Sequence, residues 1–355
     1  MAKVTFNNKK SPFFDELRAR TDKYFKDKKI NPTGNYKLYA KTVVLVSVAL
    51  IIYSLLVFGN LPIWASLLLC AALGCSFASI GFNVMHDGAH GSYSKNKHVN
   101  NIMSYSLNLM GGSSYMWKVK HNVVHHTYTN IQGVDDDIAV GPLLRINEQQ
   151  PRYWIHKFQH VYWVFLYGVT YFMWIFWMDF LKYFTNKVGS VPIRKMKLSE
   201  HIGFWLTKVI YLGIFLILPA YTQGLVATLV GYGVVIFVCG VVIASIFQLA
   251  HVVEGTAFPE PDPTSNKIED EWAKHQVLTT ANFATRNKLI SWLCGGLNFQ
   301  VEHHLFPKIS HIHYPALSKI VRETCEDYNI NYIEYPTLWS ALGAHVRHLK
   351  TLGQA

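Results

Sequence analysis

Histidine is the one residue this chain deploys in a chemical pattern. Seven of its 17 histidines fall in three short clusters: His86 and His90 in HDGAH, His121, His125 and His126 in HNVVHH, and His303 and His304 in QVEHH. Neutral imidazole is the commonest protein ligand for redox-active metals. Seven are too many for one ion of ordinary coordination number, so the pattern points to two metals. His86 and His90 are four apart, as are His121 and His125, so on a helix each pair projects from one face. His126 is turned by roughly 100° from His125, so neighbouring histidines can address two metals, or two positions around one. Gln300 stands three before His303 and four before His304, on their face. Its amide is a poor iron ligand and is better suited to holding a metal-bound water.

His251, at the end of an apolar run and followed by Glu254, is an eighth candidate ligand. Asp87 and Glu302 are placed to orient ligand imidazoles from behind. Asp135, Asp136 and Asp137 read more simply as a helix cap or a solvated turn. His98, His156, His160, His201, His345 and His348 read as ordinary core or surface groups, and His275, His311 and His313 as weaker ligand candidates. The chain lacks HExxH, the helix of zinc hydrolases, and the Glu with Glu-x-x-His pattern of soluble di-iron bundles.

The elements that must position these residues are apolar. Of 355 residues, 50% are hydrophobic and 14% aromatic, and only 15% are charged, against about 25% in soluble domains. Mean hydropathy is +0.14, modest for a bundle of spans alone, so a sizeable polar portion lies outside the lipid. Four runs approach the ~20 residues needed to cross a bilayer: residues 42–58, 62–84, 202–220 and 225–250. Short uncharged links join them into two hairpins. Lys37, Lys41, Lys95, Lys97, Arg194, Lys195 and Lys197 crowd the opposite ends, which the positive-inside rule makes cytoplasmic. The net charge of +11 follows from that bias. A basic cytosolic face also suits anionic headgroups or an acidic electron carrier, whereas no nucleic-acid reading motif is present.

A fifth run, residues 161–178, is rich in Trp, Tyr and Phe and flanked by basic residues. His86, His121 and His251 share one site only if an even number of crossings separates them. The run is therefore expected to lie in the headgroup layer. The expected fold is an all-α integral membrane protein, with four transmembrane helices in two hairpins and a helical cytosolic cap holding a His-rich di-metal site. One domain covers residues 1–355: a cytosolic N-terminal segment at 1–41, spans with inserted cytosolic histidine boxes at 42–250, and a cytosolic part at 251–355. The five cysteines (Cys70, Cys75, Cys239, Cys294 and Cys325) have no framework spacing and read as packing groups. The long charged N-terminal stretch does not resemble a signal peptide.

At the clusters the chain resembles the membrane fatty acid desaturases of the acyl-lipid, front-end branch. HDGAH fits H-x-x-x-H, HNVVHH fits H-x-x-x-H-H, and QVEHH fits the Q-x-x-H-H variant. The surrounding stretches MHDGAHGSYS, WKVKHNVVHHTYTNIQGVDDDI, TTANFA and GGLNFQVEHHLFPKISHIHYP extend the likeness over about residues 36–325. The resemblance implies two Fe ions, O2 as co-substrate and an acyl chain, on a lipid or on CoA, that acquires a double bond. It places the family's ligands on His86, His90, His121, His125, His126, His251, His303 and His304, with Gln300 where relatives carry histidine. It also implies two electrons from outside. The HPGG motif of a fused cytochrome b5 is absent and the roughly 40 residues before the first span are too few for that domain, so a separate ferredoxin or cytochrome b5-type donor is expected. The site is expected on the cytosolic side of a bacterial inner membrane. The alternatives are a hydroxylase or ketolase of the same superfamily, which would leave a C–O bond, and a non-catalytic metal-binding membrane protein. The near-absence of ionisable residues within the spans speaks against metal transport.

Overall fold

The computed structural model describes residues 4–8, 11–189 and 191–355. The chain is mostly helical. After Pro12–Lys28 (α1) come five helices long and apolar enough to cross a membrane: Tyr36–Phe58 (α2), Ile63–His90 (α3), Trp154–Thr185 (α4), Leu198–Gln223 (α5) and Leu225–His251 (α6). Tyr314–Asp327 (α7) and Leu338–Gln354 (α8) follow. Among the described residues the strands are two-residue pairs: Thr5–Phe6 parallel to Lys267–Ile268, Lys187–Val188 antiparallel to Val191–Pro192, and Asn282–Phe283 parallel to Glu334–Tyr335.

The long helices start and stop where the sequence permits. Asn35 caps α2, its side chain accepting the Lys37 amide at 3.0 Å, and Gly59 ends it. Gly224, at φ 87°, turns α5 into α6. α6 runs for 27 residues, or about 40 Å, more than the ~30 Å hydrocarbon layer. Cys70, Leu73 and Phe77 of α3 and Val235, Ile236 and Cys239 of α6 share one buried cluster. The outer sides of these helices stay apolar yet exposed, as at Val43, Leu50, Ile51, Leu225 and Val226, which suits contact with lipid.

The two hairpin links meet at one end of the molecule, where the Gln223 amide donates to the carbonyls of Val57 at 2.9 Å and Gly59 at 3.1 Å. At the other end α3 finishes in His86–His90 and α6 in His251. The hairpins thus place two sets of imidazoles on one side of the apolar layer.

The described helices include five apolar ones, where the run patterns gave four spans and a surface helix. α4 lies along α6 rather than apart from it. Trp163 and Tyr167 pack near Val252, while Phe176, further along, reaches Tyr232 with ring centroids 6.5 Å apart. The approach is closest at two glycines, since a Cβ on Gly240 would lie 2.6 Å from the Gly168 carbonyl oxygen. Aromatic content and basic flanks make this run look interfacial in sequence, and the glycine contact that docks it becomes visible only in three dimensions. Both ends of α4 are tied to the polar segments. His156 bonds the Pro142 carbonyl at 2.8 Å and Gln159 donates to the Leu349 carbonyl at 2.6 Å. Lys182 pairs with Asp136 at 2.9 Å. All five cysteines are free.

Gly240→Ala forces backbone apart at this contact and is expected to cost about 1–3 kcal/mol, the usual penalty for overpacking. Gly233→Ala, where no atom lies within 4 Å of the added carbon, should be neutral or slightly stabilising. Thermal unfolding of both variants in one detergent measures the difference. Equal stabilities would show that the α4–α6 contact is slack.

Candidate metal centre

The first two histidine clusters reach the site on helices with a local widening. α3 passes through a π-helical segment, Gly81–Met85, immediately before His86. Such segments close i→i+5 bonds and are frequent at functional sites. Asn83 steadies this one, donating to Ser79 O at 2.8 Å and Leu293 O at 2.9 Å. In HDGAH the glycine is required by packing, because a Cβ on Gly88 would sit 2.8–2.9 Å from Met103, Ser104 and Asn100. His121 and His125 lie in a second π segment, Val119–His125. The wider turn brings their rings nearly into register, 5.2 Å apart and 24° from parallel. His303 and His304 lie on the short buried helix Gln300–Leu305.

The structure brings all eight candidate histidines together. His86, His90, His121 and His303 form one group whose ligand atoms lie within 4.8 Å of one another, and His125, His251 and His304 form another. His126 joins them, grouped with His303 and His304; its ring stacks 4.4 Å from that of His304 and lies 4.6 Å from that of His303. His86 Nε2 is 3.3 Å and His126 Nε2 3.2 Å from His121 Nε2. Consecutive histidines thus face different groups, His125 the second and His126 the junction. His275 stands outside, bonding the Thr129 carbonyl at 2.9 Å.

The outer ring nitrogens are held. His125 Nδ1 donates to Asp135 Oδ2 at 2.9 Å, and His121 Nδ1 faces Asp137 Oδ2 at 3.4 Å. His251 Nδ1 points to the Thr279 carbonyl at 3.3 Å, and His304 Nδ1 to Gln276 Oε1 at 2.8 Å. His303 Nδ1 is 3.1 Å from the Tyr314 hydroxyl. Fixing the outer nitrogen sets the tautomer and leaves a lone pair on Nε2. The Nε2 atoms of His90, His125, His303 and His304, and Nδ1 of His126, are buried without a hydrogen-bond partner. Buried polar atoms are rarely left so, and a set of them converging in one place is what a metal ion would satisfy.

Electrostatics favours neutral rings. Burial, aided by neighbouring histidines, holds His126, His303 and His304 far below the ordinary imidazole value, and burial pushes His121 down to about 4. Burial also opposes charge on His125, but Asp135 and Asp137 outweigh it and raise that group. Burial would lift the Asp137 carboxyl, yet Lys120, His121 and His125 hold it well below the usual range.

The three supporting candidates lie as follows. Gln300 Nε2 is 2.9 Å from His251 Nε2, and its Oε1 is buried without a partner. Asp87 accepts from the Ser310 hydroxyl at 2.7 Å. Glu302 bonds Asn282 at 2.8 Å and Tyr332 at 2.9 Å, away from the imidazoles, and burial lifts it to about 7. The aspartates at 135 and 137 back imidazoles, and Asp135 also holds its own turn by accepting the Asn130 and Asp137 amides at 2.9 Å each. Their place nine and eleven residues beyond the second cluster was the available signal. Gln276 had no sequence signal, and Thr279 and Tyr314 were marked only by lying in the family-like stretches TTANFA and HIHYP, which give no hint of their distant partners. Trp117 stacks 4.3 Å from His121 and meets His86 edge-on, while Phe247 lies 4.8 Å from His251, so aromatic faces flank both groups.

Buried imidazoles supported from outside and gathered at the ends of apolar helices define a class: membrane proteins built round a polyhistidine centre able to hold metal. Within it, this chain belongs to the fatty acid desaturase family, whose model matches residues 62–336. It is 38% identical over 347 residues to an acyl-lipid (8-3)-desaturase of Physcomitrium patens, covering 96% of this chain and 72% of that one. It is 36% identical to an sn-1 linoleoyl-lipid 6-desaturase of Synechocystis (99% and 98% covered) and 37% identical to one of Arthrospira platensis (99% and 95%). The chain is a membrane-bound oxidoreductase of a metal-dependent family that desaturates fatty acyl chains.

His345 is more than an incidental histidine. It is fully buried, bonding Val252 O at 2.6 Å beside His251 and the Tyr167 hydroxyl of α4 at 2.8 Å. Burial holds it at about 4, as it does His275. The unfolded chain takes up these protons first, near pH 6.5. Stability is therefore intact above pH 6.5 and falls as pH drops toward 4, by about 1.4 kcal/mol per unit for each such group. His345→Gln should flatten that decline in apparent Tm between pH 6.5 and 4.5, measured against wild type. An unchanged slope would exclude His345 from the acid sensitivity.

Proposed function

We propose that this enzyme is a front-end acyl-lipid desaturase, with two irons held by the eight histidines, O2 as co-substrate and two electrons from a separate ferredoxin or cytochrome b5-type carrier. The observation that supports it best is the set of converging, partnerless imidazole nitrogens in two adjoining groups. Neutral nitrogen donors in this number suit iron, and the relatives' names supply the acyl-lipid substrate. Removing two hydrogens from adjacent methylenes releases two electrons, while reducing O2 to two waters consumes four. The outside carrier supplies the other two, one at a time, and two protons come from solvent. When bound, the iron pair supplies the oxygen activation and C–H oxidation that side chains cannot perform.

The chain's own groups do the rest. His86, His90, His121 and His303 would hold one ion, His125, His251 and His304 the other, with His126 between them. Asp135, Asp137, Gln276, Thr279 and Tyr314 keep the rings aimed. Gln300, beside His251, is suited to hold a water or to complete the second group through Oε1. Trp117 and Phe247 exclude solvent at the flanks.

In this reading α2, α3, α5 and α6 cross the membrane, and α4 dips beside α6 without crossing, because both its ends are tied to the histidine-bearing side. Residues 1–355 then form one desaturase domain, with its site on the cytosolic side of a bacterial inner membrane. Cysteines placed at Asn60 and Thr222 should be labelled only from the side opposite Lys95 and Lys195. Labelling of all four positions from the cytoplasm excludes this topology.

Expression in a host lacking polyunsaturated lipids, with defined fatty acids supplied, should give a new double bond and no hydroxyl or keto product by gas chromatography. Alanine at His86, His90, His121, His125, His126, His251, His303 or His304 should reduce the product to background without preventing membrane insertion. Asp135→Asn, which acts through His125, should lose about 10–100-fold. Full activity and metal content in two of the histidine variants would refute the di-iron centre.

A further inference from the structure

Beside the metal centre runs a second buried polar chain that no ligand role explains. Asp87, next to His86, is 2% exposed; Ser310 is 0%, His311 4% and Lys41 7% exposed. The Ser310 hydroxyl donates to Asp87 Oδ2 at 2.7 Å, and His311 Nδ1 stands 3.0 Å from the same oxygen, near enough for charge pairing but outside hydrogen-bond geometry. His311 Nε2 is 3.3 Å from Lys41 Nζ, at the head of α2, and that ammonium lies 5.2 Å over the Trp292 ring. The Asp87 carbonyl also accepts the Ser92 and Tyr93 amides at 2.9 and 3.2 Å. This ties the end of the first histidine box to the turn that follows it.

Ser310 and His311 belong to the turn that leads into α7, and Tyr314, three residues on, is the hydroxyl against His303 Nδ1 at 3.1 Å. The network therefore joins the residue beside His86 to the residue that aims His303. Those two rings are 4.5 Å apart and belong to the same group. The second group has separate supports. Asp135 holds His125, Thr279 holds His251 and Gln276 holds His304, and none of them touches Asp87, Ser310, His311 or Lys41 in the hydrogen bonds and ion pairs among the described residues.

We propose that Asp87, Ser310, His311 and Lys41 are positioning residues for one metal of the pair: a clamp that sets the first histidine box against the third and leaves the other metal's ligands unaffected. A buried carboxylate needs compensating charge and donors, and here both come from elements distant in sequence. Lys41 makes the first apolar helix a participant in the metal centre without offering it a ligand.

The proposal rests on the two-metal reading, and metal counting separates the two. Purified in detergent, wild type should carry two metals per chain by elemental analysis, and should take up two Co(II) after chelation and reloading with the metal alone. Asp87→Ala should keep a monodisperse gel-filtration profile and retain one, with the visible cobalt spectrum reduced to that of a single site. Adding His251→Ala to it should remove the remaining metal. Ser310→Ala and Lys41→Met, milder changes, should weaken the same single site by about 10–100-fold, and Lys41→Arg should restore it. Two metals, or none, in Asp87→Ala beside two in wild type overturns the clamp, as does failure of Lys41→Arg to rescue. Fewer than two in wild type refutes the di-metal reading itself.

Discussion

Eight imidazoles face one another in a space from which water is excluded, and this is the constraint on which the rest of the structure depends. Lone pairs that converge without a proton or a cation between them are costly. Each is a buried acceptor deprived of its hydrogen bond, at about 1–3 kcal/mol. Folding tolerates the arrangement because the outer nitrogens of His121, His125, His251, His303 and His304 are held and the helices that carry the rings are locked by contacts far from the site. The second imidazole nitrogen is as important as the first. Asp135, Asp137, Thr279, Gln276 and Tyr314 each hold a ring from behind, and a rotation of any ring would bring a proton to where a metal belongs.

The apolar helices serve that requirement as levers. α3 and α6 each end in a ligand candidate, and at their other ends the two hairpins are joined by Gln223 of α5 donating to the Val57 carbonyl of α2. Burial between them, around Leu73, Phe77 and Val235, fixes the relative height of His86 and His251. α4 adds a third wall. It is docked where two glycines let backbones touch, and it is linked through Tyr167 and His345 to the residue after His251. Packing deep in the apolar layer and geometry at the metal centre are thus one mechanical system.

Much of this was legible in the sequence, because histidine spacing and apolar run length are local signals with direct physical meaning. The three boxes, His251 at a helix end, the two hairpins and the family likeness all follow from residues close together in the chain. What was not legible depended on distant partners. Asp135 and Asp137 look like turn residues until the ring behind them is seen, and Glu302, inside a histidine box, turns away to Asn282 and Tyr332. Gln276 carries no local mark, and Tyr314 only its place in the family-like stretch that follows the third box. α4 was read as a surface helix from the parity of crossings, its basic flanks and its aromatic content, and the close contact of Gly240 against Gly168, which sets where it packs, has no counterpart in the run pattern. His345, read as an ordinary core or surface group, is a core group, and only the fold shows that it sits beside His251.

The π segments beside the first two histidine boxes, Gly81–Met85 and Val119–His125, carry a consequence for how this family can change over evolutionary time. A π turn is an α-helix holding one surplus residue. Deleting that residue would restore a regular helix and swing everything beyond it by roughly 100°. Substitutions around the boxes are absorbed by repacking, but a one-codon deletion in either segment would carry His86 and His90, or His125 and His126, off their face together. Length, more than identity, is therefore the inherited quantity in these stretches, and drift in the lineage should appear as exchanged side chains on an unchanging count.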